Sequence, residues 1–307
     1  MEFLANLLTV AGQVATLFFM MAAGFVLGKL KWLTGEGMAQ MSTVLLYVVT
    51  PCVMLEAFQG DNLPALGVLG VGVLALGSFY LVFMPLSFLL FRRAAPDTGT
   101  VLRFGSVYGN AGFMGLPLLE VVLGPQALIY GVVSLGIFNV AQWTHGAVVM
   151  GGRFSMKKAI LNPGVLGLLA SLPLLLFHLR LPGPVFSAVS FLADLNTPLA
   201  MLVIGGQMAG ADFRAIFTSA RFYATAALKL AAIPLATALM LLPFGLDPIL
   251  YCTCVIVAAT PSAGATSIFA QRFGRDTASA AQLVTLTTLL SILTLPIFVV
   301  LAHTLAG

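Results

Sequence analysis

From about residue 7 to residue 302 the chain runs through apolar stretches of roughly 20 residues each, the length at which an α-helix crosses the hydrocarbon core of a bilayer. Hydrocarbon offers no partner to a backbone N–H or C=O, so chain placed there has to close its hydrogen bonds internally. Ten such spans are read at approximately 7–29, 39–59, 65–91, 100–121, 125–149, 161–179, 184–209, 215–243, 247–270 and 277–302. With 60% hydrophobic and only 8% charged residues, against about 25% charged in soluble domains, an ordinary soluble fold is excluded. The expected class is an all-α integral membrane protein.

The spans fall into two matching sets of five. Thr50-Pro51 followed by Met54-Leu55 recurs as Thr197-Pro198 followed by Met201-Leu202. Pro85 and Pro234 form a second pair at nearly the same offset, and Pro117 and Pro261 a third, each inside a Gly-rich interruption. Residues 1–150 and 161–307 are therefore read as two five-helix repeats, with 151–160 as a short connector. An odd number of spans per repeat sends the second into the bilayer from the opposite side, which makes the repeats inverted. Duplicated halves with matching broken helices are a pattern of secondary transporters.

Lys and Arg collect on the cytoplasmic side of membrane proteins. With the N-terminus outside, that side receives Lys29, Lys31, Arg92, Arg93, Arg103, Arg153, Lys157, Lys158, Arg214, Arg221, Arg272 and Arg275 of the 14 basic residues. Arg180 is left outside and Lys229 within the membrane. Both termini are thus expected outside, and the net charge of +4 is a topology signal that lends no support to a nucleic-acid partner. No basic residue precedes the first apolar run and no small-residue cleavage site follows it, so no cleaved signal peptide is expected. Cys52, Cys252 and Cys254 all lie in apolar spans and read as small hydrophobic residues.

The fourth and ninth spans carry the least ordinary chemistry: Tyr108-Gly109-Asn110-Ala111-Gly112-Phe113-Met114-Gly115-Leu116-Pro117, and Ala259-Thr260-Pro261-Ser262-Ala263-Gly264-Ala265-Thr266-Ser267. A helix broken at mid-membrane exposes unpaired N–H groups at the start of its second half, whose positive dipole end favours an anion. Two such ends meeting would cradle a carboxylate without a fixed positive charge. Tight packing through small residues is the alternative reading.

Taken together, Gly109-Asn110-Ala111-Gly112-Phe113-Met114-Gly115-Leu116-Pro117-Leu118, Asn162-Pro163, Pro198-Leu199-Ala200-Met201-Leu202 leading into Gly205-Gly206, Thr260-Pro261-Ser262-Ala263 and Thr294-Leu295-Pro296 resemble the auxin efflux carrier family. That family lies in the bile/arsenite/riboflavin transporter superfamily and includes the plant PIN-formed proteins and bacterial organic-anion permeases. The resemblance implies ten helices as a five-plus-five inverted repeat, a sodium/proton antiporter-like elevator fold. In it the fourth and ninth helices cross at their prolines, here Pro117 and Pro261. Spans 1, 2, 6 and 7 would form a scaffold, and spans 3–5 and 8–10 a moving transport unit. Asn110 matches the asparagine before the first crossover proline and Asn139 the polar residue of the fifth helix, although a buried Asn can equally bond a neighbouring helix. Ser262 stands where plant members often carry Gln. Substrate contacts are assigned to Asn110, Pro117, Asn139, Pro261, Ser262 and Thr266. The long hydrophilic loop of many plant members is absent, which makes a compact bacterial permease the nearer likeness. The implied substrate is a small organic anion such as malonate, malate or an auxin-like carboxylate, carried across a cell inner membrane. The implied assembly is a homodimer through the second and seventh spans.

Charges inside a membrane are costly and point to function. Asp194 and Lys229 both approach the midplane and are read as a potential pair, either broken and re-formed during transport or fixed as a static contact. Glu120 and Glu56 lie toward the outer ends of their spans, where snorkelling to water or a role in proton entry applies. His145, near the inner end of the fifth span, fits a backbone-bonded histidine or a proton shuttle. Coupling or gating is assigned to Asp194, Lys229 and Glu120. No catalytic, cofactor or metal motif is found: the His-Glu-x-x-His, Gly-x-Ser-x-Gly, Walker and Gly-x-Gly-x-x-Gly patterns are all missing. A sodium-coupled symporter of the bile-acid type, a membrane receptor and an intramembrane hydrolase stand as the other readings. A cysteine placed at Glu2 is expected to react with a membrane-impermeant reagent applied from outside; protection there contradicts the orientation.

Overall fold

The computed structural model describes residues 2–60, 63–211 and 220–306. Arg214 and the opening of the expected eighth span, 215–219, lie outside the described residues. The described chain is helical throughout: α1 (Glu2–Lys29), α2 (Gly35–Ala57), α3 (Leu66–Leu90), α4 (Pro96–Val107), α5 (Ala111–Leu123), α6 (Pro125–Val149), α7 (Met156–Ile160), α8 (Pro163–Leu176), α9 (Gly183–Ala209), α10 (Ala220–Phe244), α11 (Pro248–Ala259), α12 (Ala265–Arg272) and α13 (Thr277–Ala306). Among the described residues, seven segments are long and apolar enough to cross a membrane: Val10–Lys29 of α1, together with α2, α3, α6, α9, α10 and α13. The apolar α5, α8 and α11 are shorter. The expected fourth span is divided into α4 and α5, and the ninth into α11 and α12. This is a multi-pass membrane protein.

Helix starts follow local chemistry. Thr34 accepts Gly37 N–H ahead of α2, Asn162 accepts Val165 N–H ahead of α8, and Asp247 accepts Ile249 and Leu250 N–H ahead of α11. Such caps satisfy N–H groups that have no partner within the helix. Pro163 and Pro248 stand in the first turns, where their missing N–H costs nothing.

Three of the prolines inside the spans act by a definite device. In α2, α5 and α10 a π-turn, Leu45–Val49, Ala111–Gly115 and Leu228–Ala232, ends two residues before Pro51, Pro117 and Pro234. In each case the residue just before the proline reaches back five positions: Thr50 N–H to Leu45 O, Leu116 N–H to Ala111 O, and Ile233 N–H to Leu228 O. A proline offers no N–H and crowds the carbonyl four residues earlier, and the wider turn absorbs both faults. A fourth π-turn, Gln142–Gly146 in α6, has no proline after it.

The tightest packing joins α1 to the second half of α9. A Cβ on Gly24 would run into Leu202 backbone, and one on Gly205 into Met21 and Phe25 backbone. Lipid tails are as apolar as leucine, so helices in a membrane gain most where small residues let backbones close up. α2 packs against α8 and α9, α3 against α6, and α11 and α12 against α13. Gly205→Val is expected to cost about 3 kcal/mol or more through overpacking against backbone. Gly77→Val, at a position with open space around it, is expected to stay within about 0.5 kcal/mol. Thermal unfolding of the purified variants in detergent checks the contrast.

Candidate functional site

The two helix breaks meet and complete each other. α4 ends at Val107 and the chain turns extended at Tyr108, while α11 ends at Ala259 and Thr260 is extended. The two segments run antiparallel, bridged between Gly109 and Ser262. Asn110 N–H donates to Pro261 O at 2.7 Å, and Ala263 N–H to Tyr108 O at 2.9 Å. Buried backbone polar groups need partners, and here each break supplies them to the other.

This geometry corrects the crossing point expected at Pro117. The crossing falls at Tyr108–Asn110 and Pro261–Ala263, whereas Pro117 lies buried within α5, where it shapes the π-turn. Pro261 stands at the crossing itself, and its carbonyl takes the Asn110 N–H.

Side chains hold the pair in register. Ser262 Oγ donates to Gly105 O at 2.7 Å, and Ser262 N–H donates to Thr287 Oγ1 at 3.1 Å, all fully buried. The Ser262 hydroxyl, expected to face the substrate, is thus spent tying α4 to the second break. Tyr108, fully buried, has its hydroxyl 3.0 Å from both Ala141 O and His145 Nδ1. A hydroxyl carries one proton, so donation to Ala141 O leaves its oxygen to accept Nδ1–H from His145.

What remains unspent defines what the site can bind. Asn110 Oδ1 caps α5 by accepting Phe113 N–H at 3.2 Å, and its amide nitrogen has no acceptor among the described residues. Ala111, Met114 and Gly115 N–H groups bond Gly109 O or Asn110 O. Among the described residues, the N–H groups of Gly112, Gly264 and Ala265 have no acceptor. Thr266 Oγ1 is fully buried and also unpaired. Two helix starts, α5 and α12, each within a few residues of the crossing, therefore present free donors within an apolar bundle, an arrangement suited to an anion.

Other expected site residues lie elsewhere. Asn139 donates back to Leu135 O at 2.8 Å and presses against Gly164 of α8, away from the crossing. Glu120, half-buried on α5, accepts Thr197 Oγ1 of α9 at 3.3 Å, with Glu56 and Asp194 near enough for their charges to act on it. The Asp194–Lys229 pair is absent. Asp194 caps the break between Ala193 and Asn196 in α9 and is exposed, whereas Lys229 is fully buried and donates to Ala258 O at 2.8 Å. A basic side chain does stand at the crossing, then, contrary to expectation: a Cβ on Gly109 would come within 2.9 Å of Lys229 Nζ. Thr287 and Tyr108 were missed as site residues. The signal for Thr287 was available in the buried hydroxyl series Thr285, Thr287, Thr288 and Ser291 along one apolar span.

At the loop end of this region, Arg275 pairs with Asp97 at 2.7 Å and donates to Met150 O at 2.9 Å. Asp276 caps α13. Partial burial raises its pKa, but donors from Ser279, Thr98 and Ala278 outweigh that and hold the carboxyl below the ordinary range.

A family model described as "Membrane transport protein" matches residues 9–155 and 147–299. The chain belongs to this family, that of the auxin efflux carriers. A relative from Rhizobium meliloti (strain 1021), named "Putative malonate transporter", is 25% identical over 299 residues, covering 93% of each chain. Membership makes the paired breaks a feature of a membrane transport protein.

Replacing Thr287 with Val leaves the buried Ser262 N–H without a partner, at an expected cost of about 1–3 kcal/mol. Thr288→Val, whose hydroxyl bonds only Val284 O of its own helix, is expected to cost less. Unfolding midpoints of the two variants, compared side by side, check the assignment.

Proposed function

We propose that this protein is a secondary carrier of small organic anions. The free Gly112, Gly264 and Ala265 N–H groups at the two helix starts that follow the crossing carry the reading, because such donors stabilise negative charge. The Asn110 amide and the Thr266 hydroxyl add side-chain donors that suit a carboxylate. Small mono- or dicarboxylates are the substrate class, and the relative's name points to malonate within it.

The transport cycle is elevator alternating access. Two inverted five-helix repeats, 1–150 and 161–307, contribute a scaffold of α1, α2, α8 and α9 and a moving unit of α3–α6 and α10–α13. The close packing of α1 on α9 and of α2 on α8 and α9 supports the first group. The mutual hydrogen bonds of the two breaks support the second. The Glu120–Thr197 contact joins the groups and would part as one slides past the other. The protein is placed in a cell inner membrane with both termini outside, as a homodimer through α2 and α9. The membrane potential is sufficient to drive anion export with no coupled ion, at about 2.3 kcal/mol per charge per 100 mV, whereas import would need a proton or sodium ion.

Charge movement across proteoliposomes holding the purified protein tests this, with malonate, malate, succinate, pyruvate, indole-3-acetate and taurocholate as the panel. The expected result is current with one or two of the small carboxylates. Silence across the panel in folded protein overturns the carrier reading. Asn110→Ala is expected to weaken binding of the active anion about tenfold, or about 1.4 kcal/mol, read by calorimetric titration. Unchanged affinity removes Asn110 from the site.

A further inference from the structure

Away from the crossing, a groove of about 680 Å³ lies between α3, α6 and α8, lined by aliphatic and aromatic side chains and glycines. It runs from Leu66 and Leu176 at one end to Met84, Ala141 and Val165 at the other. Leu66 and Met84 are roughly 27 Å apart along α3, close to the hydrocarbon thickness of a bilayer. Glycine keeps the groove open: a Cβ on Gly77 would meet nothing within 4 Å. A void lined by apolar groups forfeits their dispersion contacts, so a furrow open to hydrocarbon takes up the chains that reach it.

The Met84 end has a chemistry of its own. Val165 N–H donates to Asn162 Oδ1 at 2.9 Å, and Asn162 Nδ2 donates to Ala159 O of α7 at 2.6 Å. On the other wall, the turn Gln142–Gly146 that follows Ala141 packs against α7. The short helix is thereby attached to both sides of the mouth. Of its residues only Ala159 is buried. Lys157 and Lys158 are exposed, as is Arg153 ahead of them, and so are the apolar Phe154, Met156, Ile160 and Leu161. Topology accounts for Lys and Arg in a cytoplasmic connector, but not for large apolar side chains exposed among them; that mixture belongs to segments lying in the membrane interface. Arg153, Lys157 and Lys158 pair with no carboxylate among the described residues.

We propose that this mouth binds an anionic phospholipid of the cytoplasmic leaflet. Arg153, Lys157 and Lys158 hold its phosphate-bearing headgroup, and one acyl chain enters between Ala141 and Val165 and lies along the groove as far as Gly77. Basic side chains at the inner surface select anionic headgroups, and the groove takes the chain. Gly77 is roughly 10 Å beyond Met84 along α3, within the depth of one leaflet. A soluble phosphate ester has no chain to place and a zwitterionic lipid no net charge, so neither uses both parts of the site. The site goes beyond the carrier reading and rests on the proposed orientation only for the leaflet it names. In the elevator cycle α6 belongs to the moving unit and α8 to the scaffold. The chain then fills the seam where the two slide, and a moving wall meets fluid hydrocarbon there.

Native mass spectrometry of the purified, delipidated full chain, given phosphatidylglycerol or phosphatidylcholine with identical chains, reads the site without reference to transport. One phosphatidylglycerol is expected to be retained per chain, with phosphatidylcholine held about tenfold more weakly and no adduct with glycerol 3-phosphate. Lys157→Gln combined with Lys158→Gln is expected to lower phosphatidylglycerol to the level of phosphatidylcholine, with the unfolding temperature unchanged. Gly77→Phe fills the groove at a distance from the headgroup and is expected to weaken both lipids alike; Gly77→Leu replaces it under the same criterion where the larger side chain prevents folding. Equal retention of the two lipids by the wild type, an undiminished preference in the lysine variant, or retention indifferent to filling at Gly77 overturns the proposal. Retention of glycerol 3-phosphate overturns it too, by showing an anion site with no part for a chain. An unfolding temperature that rises with protein concentration and ignores lipid makes the groove an interface between copies, which is a further refutation. A chain silent toward every transported anion would sink the carrier reading and leave these outcomes to decide the lipid site.

Discussion

Everything at the centre of this protein depends on the mutual repair of two broken helices. Breaking one helix in hydrocarbon strands several backbone groups, each costing kilocalories. Here the Asn110–Pro261 and Tyr108–Ala263 hydrogen bonds, with Thr287 and Ser262 beside them, return most of those groups to partners. Neither break would be stable without the other, so the two halves of the chain are committed to meeting at this point. The few donors left over are free because the crossing geometry has no acceptor for them, and they are what a ligand would find.

Around that centre the packing uses two different materials. α1 and α9 meet through Gly24 and Gly205, backbone against backbone, which favours a contact that holds one geometry. The crossing is instead surrounded by buried hydroxyls that bond mostly within their own helices, such as Thr288 and Ser291 on α13. Such hydroxyls keep their partners when neighbouring helices shift, so a polar lining can be carried along without stranding a group. The aromatic series Phe104, Tyr108 and Phe138 fills the space behind the first break and keeps it dry.

Much of this was legible in the sequence because the membrane imposes a coarse code. Apolar run length placed the helices, and Gly, Pro and polar residues clustered in two spans placed both breaks. The exact crossing was not legible, because proline is conspicuous yet is not where the chain opens: Pro117 lies seven residues past the opening at Asn110. Lys229 was flagged as buried, but its partner was sought among acids, and a backbone carbonyl such as Ala258 leaves no mark in a sequence. Asn139 shows the reverse fault, since a polar residue near the right depth faces α8. Depth can be counted along a span, whereas facing depends on helix rotation, which local turns alter.

Those turns have a further consequence. A π-turn takes one more residue than an α-turn, and one residue is worth about 100° of rotation. In α2, α5 and α10 the faces on either side of the turn are therefore out of phase. A relative lacking one of these prolines, and with it the wide turn, would match this chain only through a one-residue gap inside a membrane helix, where gaps are ordinarily forbidden. Correct comparison of such sequences thus requires insertions to be allowed inside membrane-spanning helices.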